Sequence, residues 1–172
     1  MKFFLLLVVA VLAAYFVPAP PTHQESSIEI GASRGKVWDT LSDLGAARNW
    51  DPAVRAAHVV STHDQGVGAE RKMEDTMLKT DETVTEWVPY SKIGFEVEYH
   101  PDLTQYENST LRLQDAGSYT KVIWTLDYQM RGGYLGAALD RMFLRALNDQ
   151  RLDPALANLK HLVETGEAPL TF

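Results

Sequence analysis

The sequence contains no cysteine, which excludes a disulfide framework, thiolate-bound metal and thiol redox chemistry, although a chain of this length folds without bridges. It has no cluster of basic residues either. Lys and Arg total 16 against 23 Asp and Glu, a formal net charge of −7, so the domain offers no electrostatic footprint for nucleic acid or an anionic bilayer. The five histidines, His23, His58, His63, His100 and His161, are scattered; none stands at the spacing of a known metal site, and neither metal nor cofactor is expected. There is no internal repeat, and only one long apolar run.

That run is Phe3 to Val17, preceded by Lys2. As a helix it covers roughly 22 Å of a hydrocarbon layer about 30 Å thick. The lone basic residue on its N-terminal side places the rest of the chain outside the cytosol. An uncleaved, single-pass anchor in the cell membrane is expected, because Pro20 follows the small-residue exit Val17-Pro18-Ala19 and makes a poor cleavage junction; secretion or release into a periplasm after cleavage is the alternative. The expected organisation is an anchor or signal over 1–17, a proline-rich spacer over 18–26, one folded domain over 27–165 and a tail over 166–172.

Within the domain the hydrophobic period changes twice. A short strand, Ser27 to Ile30, precedes a helix from Ser33 to Ser42 with Val37, Trp38 and Leu41 on one side, and Asp43 is placed to cap a second short helix that ends before Asp51-Pro52. Six strand candidates follow: Val54–Ser61, Ala69–Asp75, Glu82–Val88, Ile93–His100, Tyr106–Gln114 and Thr120–Met130. Their short connections require antiparallel pairing. A helical pattern from Tyr134 to about Glu164 closes the chain, with Pro154 expected to kink or restart it. The fold class is α+β: an antiparallel sheet needs cover for one face, and only the last helix is long enough to supply it. Alternation puts Phe95, Val97, Tyr99, Leu111, Leu113, Val122, Trp124, Leu126, Tyr128 and Met130 on that face. Several are large and carry polar tips, which hints at a pocket. They are equally compatible with a plain core.

Gly31-Ala32-Ser33-Arg34-Gly35 matches the Gly-x-Ser-x-Gly of a hydrolase nucleophile elbow. That device needs parallel strands and later loops carrying an acid and a histidine. An antiparallel meander supplies neither, so Ser33 reads as a helix N-cap and a serine hydrolase is the least favoured function. Gly132-Gly133-Tyr134-Leu135-Gly136 lacks the Lys-Ser/Thr of a phosphate loop and reads as a flexible corner. Among the strand charges, Glu70, Glu74, Glu82, Glu86, Glu96, Glu98, Arg71, Lys72 and Arg112 belong by default to a solvated face, with one or two turning inward.

The segments VWDTLSDLGAARNWDPAV (37–54), GVGAERKM, VTEWVPYSKIGFEV and ALANLKHLVE, in this order, resemble the SRPBCC superfamily, which groups START domains, pollen allergens and polyketide cyclase/dehydrase-like proteins. The resemblance spans Ser27 to Glu164. It implies a helix-grip fold, in which a seven-stranded curved sheet wraps a long C-terminal helix and two short helices close one end of a deep cavity. It also implies binding of a hydrophobic or amphipathic small molecule, lipid-like or polyketide-like. The expected lining is Trp50, Phe95, Val97, Tyr99, Leu111, Leu113, Trp124, Leu126, Tyr128, Leu139 and Phe143. No catalytic residue carries over from the family. A cyclase- or dehydratase-like enzyme using inward Tyr99, Tyr128 or Arg71 is the alternative, and a completely filled interior would point to a protein-interaction module.

Overall fold

The computed structural model describes residues 2–75 and 78–169. In chain order they form helix α1 (Lys2–Phe16), strand β1 (Thr22–Ile30), helix α2 (Arg34–Leu41), a 3-10 turn (Leu44–Asn49), strands β2 (Val54–Val59), β3 (Glu70–Asp75), β4 (Lys79–Val88), β5 (Lys92–His100), β6 (Thr104–Ala116) and β7 (Tyr119–Met130), and helices α3 (Gly133–Met142) and α4 (Leu144–Thr165). The strands make one 7-stranded antiparallel sheet in the order β1-β7-β6-β5-β4-β3-β2. This is the helix-grip arrangement, with α4 against one face of the sheet.

Consecutive strands β1 and β2 occupy opposite edges, so the chain between them must cross one end of the sheet. It does so with α2 and the 3-10 turn, which bury Val37, Trp38, Leu41, Leu44 and Ala47. Ser33 starts α2 as its N-cap, accepting a hydrogen bond from Lys36 N at 3.4 Å. Asp43 makes no side-chain cap, and the second short helix is the 3-10 turn. Strand β1 begins at Thr22, not Ser27, because Thr22 to Ser26 pair with β7 from Tyr128 back to Trp124. The end of the expected spacer is thus part of the sheet.

The closing helix breaks at Phe143, whose backbone leaves the helical region, and α4 runs through Pro154 without interruption. A proline inside a helix costs about 3 kcal/mol. Around it Leu152, Ala155, Leu156 and Leu159 are buried against the core, and each large side chain contributes about 1.5–3 kcal/mol, so burial outweighs the lost hydrogen bond. The helix therefore does not restart at Pro154, as one of the two sequence expectations had it; the restart lies at Phe143. Upstream, Gly133 has φ +55 and lies so near the end of α1 that a Cβ there would come within 2.3 Å of the Val17 carbonyl oxygen. A Cβ at Gly136 would meet the Arg131 carbonyl oxygen at 1.9 Å. Only glycine permits these approaches, and the one at Gly133 sets the end of α1 against the start of α3.

Candidate functional site

Alternation along β5, β6 and β7 sends Phe95, Val97, Tyr99, Leu111, Leu113, Trp124, Leu126 and Tyr128 inward, and all are buried; so is Trp50 beyond the 3-10 turn. Trp50 meets Trp124 edge to face at 5.7 Å between ring centroids. Leu139 and Phe143 are not among them. They are 54% and 59% exposed, because α3 turns Gly133, Gly136 and Asp140 toward the body of the protein and its leucines away. The expectation that these two residues line the interior is corrected.

The interior is far more polar than apolar patterning suggested. Arg71 on β3 donates from Nε and Nη2 to Glu82 Oε2 on β4 at 2.9 and 2.7 Å, and from Nη1 to the Leu44 carbonyl at 3.2 Å. Its guanidinium sits 4.5 Å over the Phe95 ring. Asp51, just past the 3-10 turn, accepts from Arg151 of α4 at 2.8 Å and from the Ala53 amide at 3.0 Å. Burial disfavours the charged form of Arg151, but the adjacent Asp51 carboxylate outweighs it and holds the guanidinium protonated. Further along α4's path, the Tyr128 hydroxyl donates to Asp140 Oδ1 at 2.7 Å, Thr22 donates to Asp140 Oδ2 at 2.9 Å, and Asn148 donates to Gln24 at 3.2 Å. Burial, followed by Asp140, pushes the Tyr128 phenol upward. Trp124 Nε1 donates to Ser109 at 2.9 Å.

One pair stands apart. Glu107 on β6 is 2% exposed. The Tyr99 hydroxyl donates to its Oε1 at 2.9 Å, whereas its Oε2 has no hydrogen-bond partner among the described residues. Burial raises the Glu107 carboxyl to about 7, even though the Tyr99 bond works the other way. The Tyr99 phenol is raised well above its usual value by burial and then by the Glu107 charge. A carboxyl that exchanges its proton near neutral pH beside a hydroxyl is equipped for proton transfer.

Three spaces adjoin these groups. Between Trp50, Asp51, Arg71, Glu82, Phe95, Trp124 and Arg151 lies a gap of about 10 Å³, room for one water at most. The deep cavity implied by the resemblance is therefore closed here: aromatic rings and ion pairs fill it. At one side a cavity of about 70 Å³ opens between the sheet and the first turns of α4, lined by Ala53, Asp75, Leu78, Tyr99, Leu144, Leu147, Asn148 and Arg151. The third is a cleft of about 300 Å³ where β5 and β6 part. Their ladder ends at Glu96 and Asn108, and the divergent ends enclose Val97, Glu98, Tyr99, His100, Asp102, Thr104, Tyr106 and Arg131. Tyr99 lines both the 70 Å³ mouth and the 300 Å³ cleft. Among the described residues no cluster of His, Asp and Glu is arranged to hold a metal ion.

The comparisons with known proteins agree with this fold. The family described as polyketide cyclase / dehydrase and lipid transport matches residues 21–164, and the chain belongs to that family, within the SRPBCC superfamily. Similar solved structures include the Zhui aromatase/cyclase of Streptomyces sp. R1128 (14% identity, 84% of this chain and 94% of that one, TM-score 0.68). A norcoclaurine synthase point mutant of Thalictrum flavum, in complex with a transition-state analogue, aligns with TM-score 0.69 at 14% identity over 87% of this chain and 98% of that one. The ginseng major latex-like protein 151 of Panax ginseng aligns with TM-score 0.60 at 16% identity over 87% and 99%. At these identities the likeness establishes the fold. No curated protein matches the chain.

Proposed function

We propose that the domain binds one amphipathic small molecule at Tyr99, its polar end in the β5–β6 cleft and its apolar part in the mouth under α4. The single observation that carries this is the position of Tyr99, in the wall of both openings and hydrogen-bonded to a buried carboxyl. Glu98, His100, Asp102 and Arg131 make the cleft polar, and Ala53, Leu78, Leu144 and Leu147 make the mouth apolar. The cleft is at the lower limit of ordinary ligand pockets, about 300–1,000 Å³. The closed interior must yield further to admit a larger guest. Burying about 200–300 Å² of apolar ligand surface contributes roughly 5–7 kcal/mol before ordering costs, which corresponds to micromolar binding with a few polar contacts.

We further infer that α1 anchors the domain at the extracytoplasmic face of the cell membrane, or is removed as a signal to leave it secreted or periplasmic. No helix among the described residues is long and apolar enough to cross a membrane of ordinary thickness. The 15 residues of α1 would need the bilayer to thin locally, with Lys2 reaching its surface. Support for the anchor is that α1 buries none of its side chains.

A cyclase- or dehydratase-like enzyme is the second reading, favoured by Glu107 exchanging a proton near neutral pH beside Tyr99. Titration with 1-anilinonaphthalene-8-sulfonate, read by energy transfer from tryptophan, tests the binding site. One saturable site, weakened at least tenfold by Ala53→Phe in the mouth, is expected. Absence of saturation, or indifference to Ala53→Phe, refutes it.

A further inference from the structure

Helix α3 is amphipathic in the reverse sense. It turns Gly133, Gly136 and the carboxylate of Asp140 inward, while Leu135, Leu139 and Met142, three residues on one helical stripe, stand 39%, 54% and 68% exposed, and Phe143 continues the stripe at the break before α4. A helix that folds only against its own domain hides its leucines and shows its charges. Here Asp140 is buried because Tyr128 and Thr22 bond it, and the leucines are left without protein cover.

We propose that this stripe is a second membrane contact, which inserts into the outer part of the lipid layer and aims the ligand mouth at it. The inference rests on the reading of α1 as an anchor. Three observations select a bilayer as the occupant. The glycine contacts pin the C-terminal end of α1, the point where an anchored chain leaves the hydrocarbon, against the first turn of α3, so the stripe begins at the membrane surface. Helix α1, which packs against α3, exposes its own apolar side chains along its length. It ends at Phe143, next to Leu144 and Leu147, which line the mouth. A molecule dissolved in the bilayer would therefore pass from lipid into the mouth without crossing water. With a net charge of −7 the contact is apolar and needs no anionic lipid.

The absence of native cysteine makes single-site labelling clean. Leu7→Cys, Leu139→Cys, Met142→Cys and Val67→Cys, each in the full chain and carrying a polarity-sensitive fluorophore, are reconstituted with phosphatidylcholine vesicles containing brominated acyl chains. Blue-shifted, bromine-quenched emission is expected from positions 7, 139 and 142 and not from Val67, which lies in the β2–β3 connection. A shift at Leu7 alone overturns the proposal and leaves the anchor standing. No shift at Leu7 removes the anchor and the proposal together. A shift at 139 and 142 that grows with protein concentration in the absence of lipid means a second copy covers the stripe, and also overturns it.

Discussion

Replacing Glu107 by glutamine removes a buried carboxyl that titrates near neutral pH and leaves its shape intact. In the folded protein this group changes charge at about 7 instead of 4.5. Between those values the folded state holds a proton that the unfolded chain has released, so stability falls as pH rises through that interval and is flat above it. At about 1.4 kcal/mol per pH unit the loss amounts to about 3 kcal/mol. Glutamine keeps an oxygen to accept the Tyr99 hydroxyl and does not ionise. Denaturant unfolding of both proteins at intervals from pH 4.5 to 8 is the assay, and the informative quantity is their difference. Groups common to both cancel, including the surface carboxylates Glu74, Asp81 and Glu164, whose lowered values act at more acid pH. The native protein should lose about 3 kcal/mol relative to Glu107→Gln across the interval. Parallel curves would mean that Glu107 is solvated or paired in a way the structure does not show, and the proton-transfer reading would lose its support.

Truncating one member of the Arg71–Glu82 pair, as in Glu82→Ala, leaves a buried charge unpaired and should cost about 3–5 kcal/mol in unfolding free energy, whereas Arg71→Met with Glu82→Leu should recover most of it. Ser33→Ala should cost about 0.5–1 kcal/mol, because its cap bond at 3.4 Å is long, and should leave ligand binding unchanged; a Ser33 nucleophile would instead lose all turnover. Gly133→Ala forces a Cβ against the end of α1, so amide exchange in residues 10–17 should quicken while the sheet keeps its protection.

Much of the fold was legible because its period-two segments are long. The alternation of Val122, Trp124, Leu126 and Tyr128 fixed both strand type and inner face, and Ser33 was a cap on grounds of topology alone. Interior chemistry was harder to see. Glu107 and Ser109 keep phase with Leu111 and Leu113, Glu82 with Val84, and Asn148 and Arg151 with Leu144, Leu152 and Ala155. The same alternation that placed the leucines therefore pointed at these polar groups, but a charged residue on a strand is normally solvated, and only the three-dimensional pairing shows what offsets its burial. Leu139 and Phe143 misled for the opposite reason: their helical spacing looks like a core stripe, and nothing local reveals that glycines and Asp140 claim the inward side of α3. The early start of β1 was hidden by Thr22, His23 and Gln24, whose polarity suits an edge strand as well as a spacer.

Native mass spectrometry of the purified full chain, beside a Leu147→Trp variant that fills the mouth, tests the central claim most directly. The account predicts one small molecule carried by the native protein and lost from the variant. Equal occupancy of the two, or none on either, would contradict binding at Tyr99 between cleft and mouth.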